Sequence, residues 1–162
     1  MKVLAIDPGY GRCGMAVLEK VGGKETLLFS TCLETSPRLQ FADRMKAVTE
    51  ECVRIITEYS PDCVAMERLF FSGNQKTAMQ VAEVRGALIN TASMSNLKVS
   101  EYTPAQIKSA AGGWGGADKK QIIQMLHMLI KIEKKIKHDD EYDAIAVGIT
   151  HLAIARTHTV PQ

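Results

Sequence analysis

No stretch of this chain approaches the ~18 consecutive apolar residues that a membrane span requires, and no charged-then-apolar leader opens it. A soluble, cytoplasmic protein with no membrane contact is the expectation. Cysteine is scarce and scattered: Cys13, Cys32, Cys52 and Cys63 form no CxxC pair. Spacing therefore gives no support to a disulfide framework or a zinc knuckle, and small buried side chains in a reducing compartment are expected instead. Internal repeats, low-complexity tracts and linkers are missing too, so one domain covering residues 1–162 is the natural division. Charge of one sign is also scarce. A net charge of +2 identifies no polyanionic partner.

What is present is ordinary in amount and particular in placement. With 46% hydrophobic and 23% charged residues, the chain can bury a sizeable core. Positive charge collects late. Between Lys108 and Lys137 stand Lys108, Lys119, Lys120, Lys131, Lys134, Lys135 and Lys137, opposed by Asp118 and Glu133 alone. A solvated helix face is the commoner cause of such a run, so it supports a nucleic-acid role only in company with other features.

The opening segment organises the rest. Val3 to Ile6 is short, apolar and ended by Pro8-Gly9, which predicts a buried strand with Asp7 as its last residue. Gly9, Gly11 and Gly14 are expected to turn the backbone and leave open space beside that carboxylate. Strands are predicted at Met15–Glu19 and 26–33, forming an antiparallel meander. A hydroxyl and a proline at Ser36-Pro37 predict a helix start, and apolar residues from Leu39 to Tyr59 recur at helical spacing until Ser60-Pro61. Cys63–Met66 repeats the opening pattern, a buried strand that runs into Glu67. A helix near 76–93 follows, then a strand at 98–102. Thr103-Pro104 and Asp118 each open a further helix, and a last one begins near Asp139 or Asp140. Strands that follow helices pair in parallel through right-handed crossovers, so a mixed α/β sheet flanked by helices is expected.

Four acids stand out against this pattern. Asp7 and Glu67 each end a buried strand, and neighbouring strands would bring both to one sheet edge. Asp140 and Asp143, three apart, share a helix face near its start. Acids are common in first helical turns because the amides there favour negative charge, so either one alone is weak evidence. Together, converging carboxylates repel one another unless a cation is present. Hard divalent ions such as Mg²⁺ take this kind of oxygen donor. A pair of them can activate water and stabilise the leaving oxygen of a phosphodiester. Metal-dependent phosphodiester hydrolysis is the chemistry this pattern predicts.

The residues Ile6-Asp-Pro-Gly9, Met66-Glu-Arg-Leu-Phe-Phe71, Val84-Arg-Gly86, Glu101-Tyr102, Asp140-Glu-Tyr-Asp-Ala-Ile-Ala146 and Ile149-Thr-His151 resemble the RuvC family of bacterial Holliday-junction resolvases, in order and over nearly the whole chain. That resemblance implies a ribonuclease H-like fold with a five-stranded mixed sheet. It implies an endonuclease that resolves four-way DNA junctions by paired nicks in recombination and repair. Asp7, Glu67, Asp140 and Asp143 would be its catalytic metal ligands, holding Mg²⁺ (two ions per subunit, with Mn²⁺ able to substitute). Lys108 and Lys119 would contact DNA phosphates, and Phe70 would stack on bases at the crossover. A homodimer is implied, with Val84, Gly86, Ala87 and Ile89 as candidate interface residues, and the RuvA–RuvB branch-migration complex as a partner. The turn from Asp7 to Gly14 also fits the phosphate-binding turn of actin and the sugar kinases, but that architecture needs two such domains around a nucleotide.

Overall fold

The computed structural model describes residues 1–68, 75–113 and 115–155. The elements run β1 (Lys2–Asp7), β2 (Arg12–Val21), β3 (Lys24–Glu34), α1 (Phe41–Tyr59), β4 (Cys63–Glu67), α2 (Gln75–Met94), β5 (Lys98–Tyr102), α3 (Pro104–Gly112), α4 (Lys119–Leu129) and α5 (Asp139–Ile154). The sheet order is β3-β2-β1-β4-β5, with β1, β2 and β3 antiparallel and β4 and β5 joined in parallel. This is the mixed five-stranded sheet expected from the meander and the two crossovers.

Strand alternation divides the apolar residues between two layers. Leu4, Ile6, Met15, Val17, Val64 and Met66 face α1 and α2, which contribute Val48, Cys52, Ile55, Val84 and Leu88. Val3, Ala5, Ala16, Leu18 and Ala65 face the other way, under α3, α4 and α5. The small residues on this second face let α5 lie close to the sheet. A Cβ added at Gly148 would sit 2.3 Å from Leu18 Cδ1 and 3.2 Å from Ala5 Cβ. Buried from Ala144 to Leu152, α5 is a central helix and not an amphipathic surface one. No helix among the described residues is long and apolar enough to cross a membrane.

Local signals placed most boundaries. Thr103 and Asp118 each form a full capping box, with Gln106 and Gln121 respectively. Ser60, in the left-handed region at φ 46°, ends α1. One start differs from expectation. Helix α1 begins at Phe41, with Gln40 as a cap that makes no side-chain hydrogen bond. Ser36-Pro37 lies in a preceding turn, where Ser36 Oγ accepts from Arg38 N at 3.2 Å and Leu39 N donates to Ser36 O at 3.1 Å. The hydroxyl closes a turn, and Thr35 N bonds Gly11 O at 2.9 Å, holding the entry against the β1–β2 connection. All four cysteines are free thiols.

Beneath the sheet's far edge His151, 5% exposed, lies between Tyr102 Oη (2.8 Å from Nδ1) and Cys63 Sγ (3.2 Å from Nε2). Burial lowers its pKa, so the ring is neutral and one nitrogen donates while the other accepts. It ties α5 to β4 and β5. Tyr102→Phe should lower stability by about 1–2 kcal/mol through the orphaned ring nitrogen. Denaturant unfolding checks this, and an unchanged midpoint would remove the bond from the account.

Candidate active site

Geometry at one sheet edge follows from strand register. Ile6 pairs with Met66 across parallel strands, so the next residues, Asp7 and Glu67, leave the sheet side by side. Asp7 continues the parity of Val3 and Ala5, which places it on the α5 face. Its antiparallel partner is Gly14. That glycine fills a different role from the one expected. The space beside Asp7 is not open there, because the first turn of α5 occupies it. A Cβ at Gly14 would lie 1.8 Å from Asp140 O and 3.2 Å from Glu141 N. Hydrogen at this position allows the helix carrying Asp140 and Asp143 to reach the strand carrying Asp7.

The other three acids all act on Asp7. Burial, then the charges of Asp143, Glu67 and Asp140, push the Asp7 carboxyl well above the usual carboxylate range, with Lys119 opposing. Glu67 is raised by burial and by Asp143, against the pull of Lys119 and Lys108. Asp143 is raised by burial although Lys119 bonds it. Such a site holds more negative charge than it can comfortably keep.

Two cations relieve it in part. Lys119 Nζ, from the first turn of α4, donates to Asp143 Oδ2 at 2.9 Å and lies 3.4 Å from Asp139 Oδ2. Arg12 Nε is 3.3 Å from Asp140 Oδ2. Arg12 was not legible as a site residue, since only the fold brings the β1–β2 turn against α5. Asp139 has a 65% exposed side chain against 23% for Asp140, consistent with Asp140 as the inward member of the pair. Among the described residues no three His, Cys, Asp or Glu side chains close around a common point. The donor set nevertheless fits a hard divalent cation: carboxylate oxygens alone, on one edge, with ionisation opposed by their own proximity.

A cleft of about 190 Å³ opens between Glu67 and Asp143, with Lys108 on its rim and Ile107, Ile122 and Ala146 as its floor. Lys108 is exposed, and Lys119 reaches the acids directly. Phe70 lies outside the described residues. Of the histidines without a partner legible in the sequence, His127 meets Tyr142 Oη at 3.1 Å and His138 meets Glu34 Oε1 at 2.7 Å. His151 bonds Cys63 and Tyr102, outside the acid group.

Comparison with known proteins gives the family. A family model described as crossover junction endodeoxyribonuclease RuvC matches residues 3–151. The protein of that name from Thermosipho melanesiensis is 42% identical over 148 residues, 91% of this chain and 94% of the relative. That from Halothermothrix orenii is 39% identical over 151 residues, 93% and 92% respectively. Among solved structures, Thermus thermophilus RuvC in complex with Holliday junction substrate superposes with a TM-score of 0.91 at 29% identity, covering 98% of this chain and 97% of that one. The fold is thus the ribonuclease H-like one, and by family model, sequence identity and superposition alike the chain belongs to the RuvC family of crossover junction endodeoxyribonucleases.

Proposed function

We propose that this chain is a structure-selective endonuclease that resolves four-way DNA junctions by paired symmetric nicks, in recombination and repair. The observation that carries the reading is the convergence of Asp7, Glu67, Asp140 and Asp143 on one sheet edge, in a chain of this family. Residues 1–162 act as one nuclease domain, since a single sheet with helices on both faces takes in every described element.

The four carboxylates would hold Mg²⁺, two ions per subunit, with Mn²⁺ an acceptable substitute. When bound, such ions lower the pKa of attacking water and stabilise the departing oxygen. The protein's share is placement. Strands β1 and β4 fix Asp7 and Glu67 rigidly, and α5 brings Asp140 and Asp143 against them. Lys119 offsets one of the two negative charges of Asp143 and Asp139 in the free protein, and its ammonium would become available to a DNA phosphate once another cation took that charge. Lys108, on the cleft rim, is placed to meet the backbone beside the scissile linkage. Phe70, by family resemblance, stacks on bases at the crossover.

A four-way junction needs two cuts, and one chain supplies one set of acids, so a two-fold homodimer is the economical assembly. Of the residues expected at its interface on α2, Val84 is fully buried in the protomer's own core, whereas Gly86 is exposed with nothing within 4 Å of an added Cβ. Cooperation with a RuvA–RuvB branch-migration complex in the cytoplasm completes the reading.

Purified protein incubated with a synthetic four-way junction and a duplex control, with and without Mg²⁺, tests it. Metal-dependent paired nicks in the junction alone are expected; ATP hydrolysis without junction cutting would favour the kinase-like alternative. At the rim, Lys108→Ala should reduce the slope of log affinity against log salt by about one. An unchanged slope, measured by junction binding at several ionic strengths, would return Lys108 to the solvated surface.

A further inference from the structure

Glu141 lies between two of the proposed metal ligands in sequence and takes no part in the site itself. It is 6% exposed. Ser30 Oγ, on the edge strand β3, donates to Glu141 Oε1 at 2.6 Å. Lys134 Nζ lies 2.5 Å from the same oxygen and also donates to the Ser30 carbonyl. Three groups from β3, the segment before α5 and α5 itself thus close a triangle at the start of the helix.

The placement of this triangle matters because side-chain directions within one helical turn are fixed relative to one another. Successive residues are about 100° apart around the axis. Fixing the direction of Glu141 therefore fixes those of Asp140 and Asp143. The body of α5 is seated by its buried run Ala144–Leu152 and by His151, and its first turn touches β2 at Gly14. Beyond that backbone contact, the triangle holds the turn that carries the two acids. Ser30 stands opposite Ala16, two residues along β2 from Gly14, so the two anchors lie on adjacent strands. The Lys134 side chain is half exposed, and an ion pair open to solvent on one side adds little net stability. One retained at this point serves orientation.

We infer that Glu141, tied to Ser30 and Lys134, is a positioning residue that holds the first turn of α5 in place and thereby aims Asp140 and Asp143 at the metal site. The inference rests on the proposed role of those two acids as ligands. Groups that hold metal ligands in orientation typically change affinity or activity by roughly 10–100-fold when removed.

The test is calorimetric titration of the full chain with Mn²⁺ in the absence of DNA, alongside melting in EDTA. Glu141→Gln and Lys134→Met should each raise the Mn²⁺ dissociation constant about tenfold, whereas Lys134→Arg should retain the wild-type value. Ile55→Val, in the core on the opposite face, should lower the melting temperature and leave Mn²⁺ binding unchanged. Ser30→Ala is the milder variant should either of the first two fail to fold, with a smaller rise expected in the same direction. Melting lowered with Mn²⁺ affinity intact would reduce Glu141 to a structural contact and overturn the inference. Asp140→Asn separates the two levels. If it abolishes Mn²⁺ binding while Glu141→Gln binds normally, the positioning claim alone falls. If Asp140→Asn binds Mn²⁺ like the wild type, the ligand assignment and the positioning claim fall together.

Discussion

Asp7→Asn is expected to abolish junction cleavage, by about three orders of magnitude or more, while making the metal-free protein more stable. The loss follows from removing a proposed ligand whose metal would supply several kcal/mol of charge stabilisation. The gain follows from the electrostatics. Asp7, Glu67 and Asp143 all have folded-state pKa values raised above the ordinary carboxylate range, chiefly by burial. A carboxylate shifted in that direction contributes stability in full below its unfolded pKa, and that contribution disappears as pH rises through the folded value. In EDTA, the wild type should accordingly melt higher at mildly acidic than at neutral pH. Removing the charge at residue 7 should recover part of the difference, about 1 kcal/mol or roughly 2–4 °C at this chain length. Mg²⁺ should raise the wild-type melting temperature at neutral pH and do much less for the variant. Junction affinity should stay near normal. Melting curves with and without metal, joined to gel-resolved cleavage, check all of this; a variant that loses junction binding together with cleavage would indicate a folding defect instead.

Gly14→Ala should be the most damaging methyl among the described glycines, since its new carbon would make the shortest contact. The new carbon would meet Asp140 O at 1.8 Å and Asp140 C at 2.5 Å. Both are backbone atoms, which have no rotamer to escape into, so α5 must lift from β2. Overpacking of this kind costs about 1–3 kcal/mol, equivalent to roughly 2–12 °C in melting temperature. Activity should suffer more than stability, because Asp140 and Asp143 move with the helix. Displacement of catalytic groups by about 1 Å can cost 10²-fold in rate. Ile55→Val, with a cost of about 0.5–1.5 kcal/mol, supplies the comparison: its cleavage rate should remain within about twofold of wild type at a permissive temperature. Equal losses in the two variants would mean that Gly14 acts through general stability alone.

These two positions show where the sequence is transparent and where it is not. Asp7 and Glu67 were legible because an apolar run ending in an acid is a local pattern, and parallel register then set them side by side. The helix starts at Pro104 and Lys119 were legible for the same reason, since each capping box is complete within four residues. Ser36-Pro37 carries the same local signature as Thr103-Pro104, yet the hydroxyl closes a turn and α1 begins at Phe41. Contacts from the β1–β2 connection decided between the two uses. Gly14 reads as a turn former in sequence, whereas the fold uses its missing side chain as a seat for α5. Arg12 beside Asp140, and Glu141 between Ser30 and Lys134, join residues far apart along the chain, so no spacing rule could reveal them.

Locating Mn²⁺ by its anomalous scattering, in crystals of the protein bound to a four-way junction, tests the central claim most directly. The account predicts density in direct coordination with Asp7 and with carboxylates from β4 and α5, facing the phosphate to be cut. Metal bound elsewhere on the protein, with Asp143 still paired with Lys119 and Asp140 with Arg12, would contradict it.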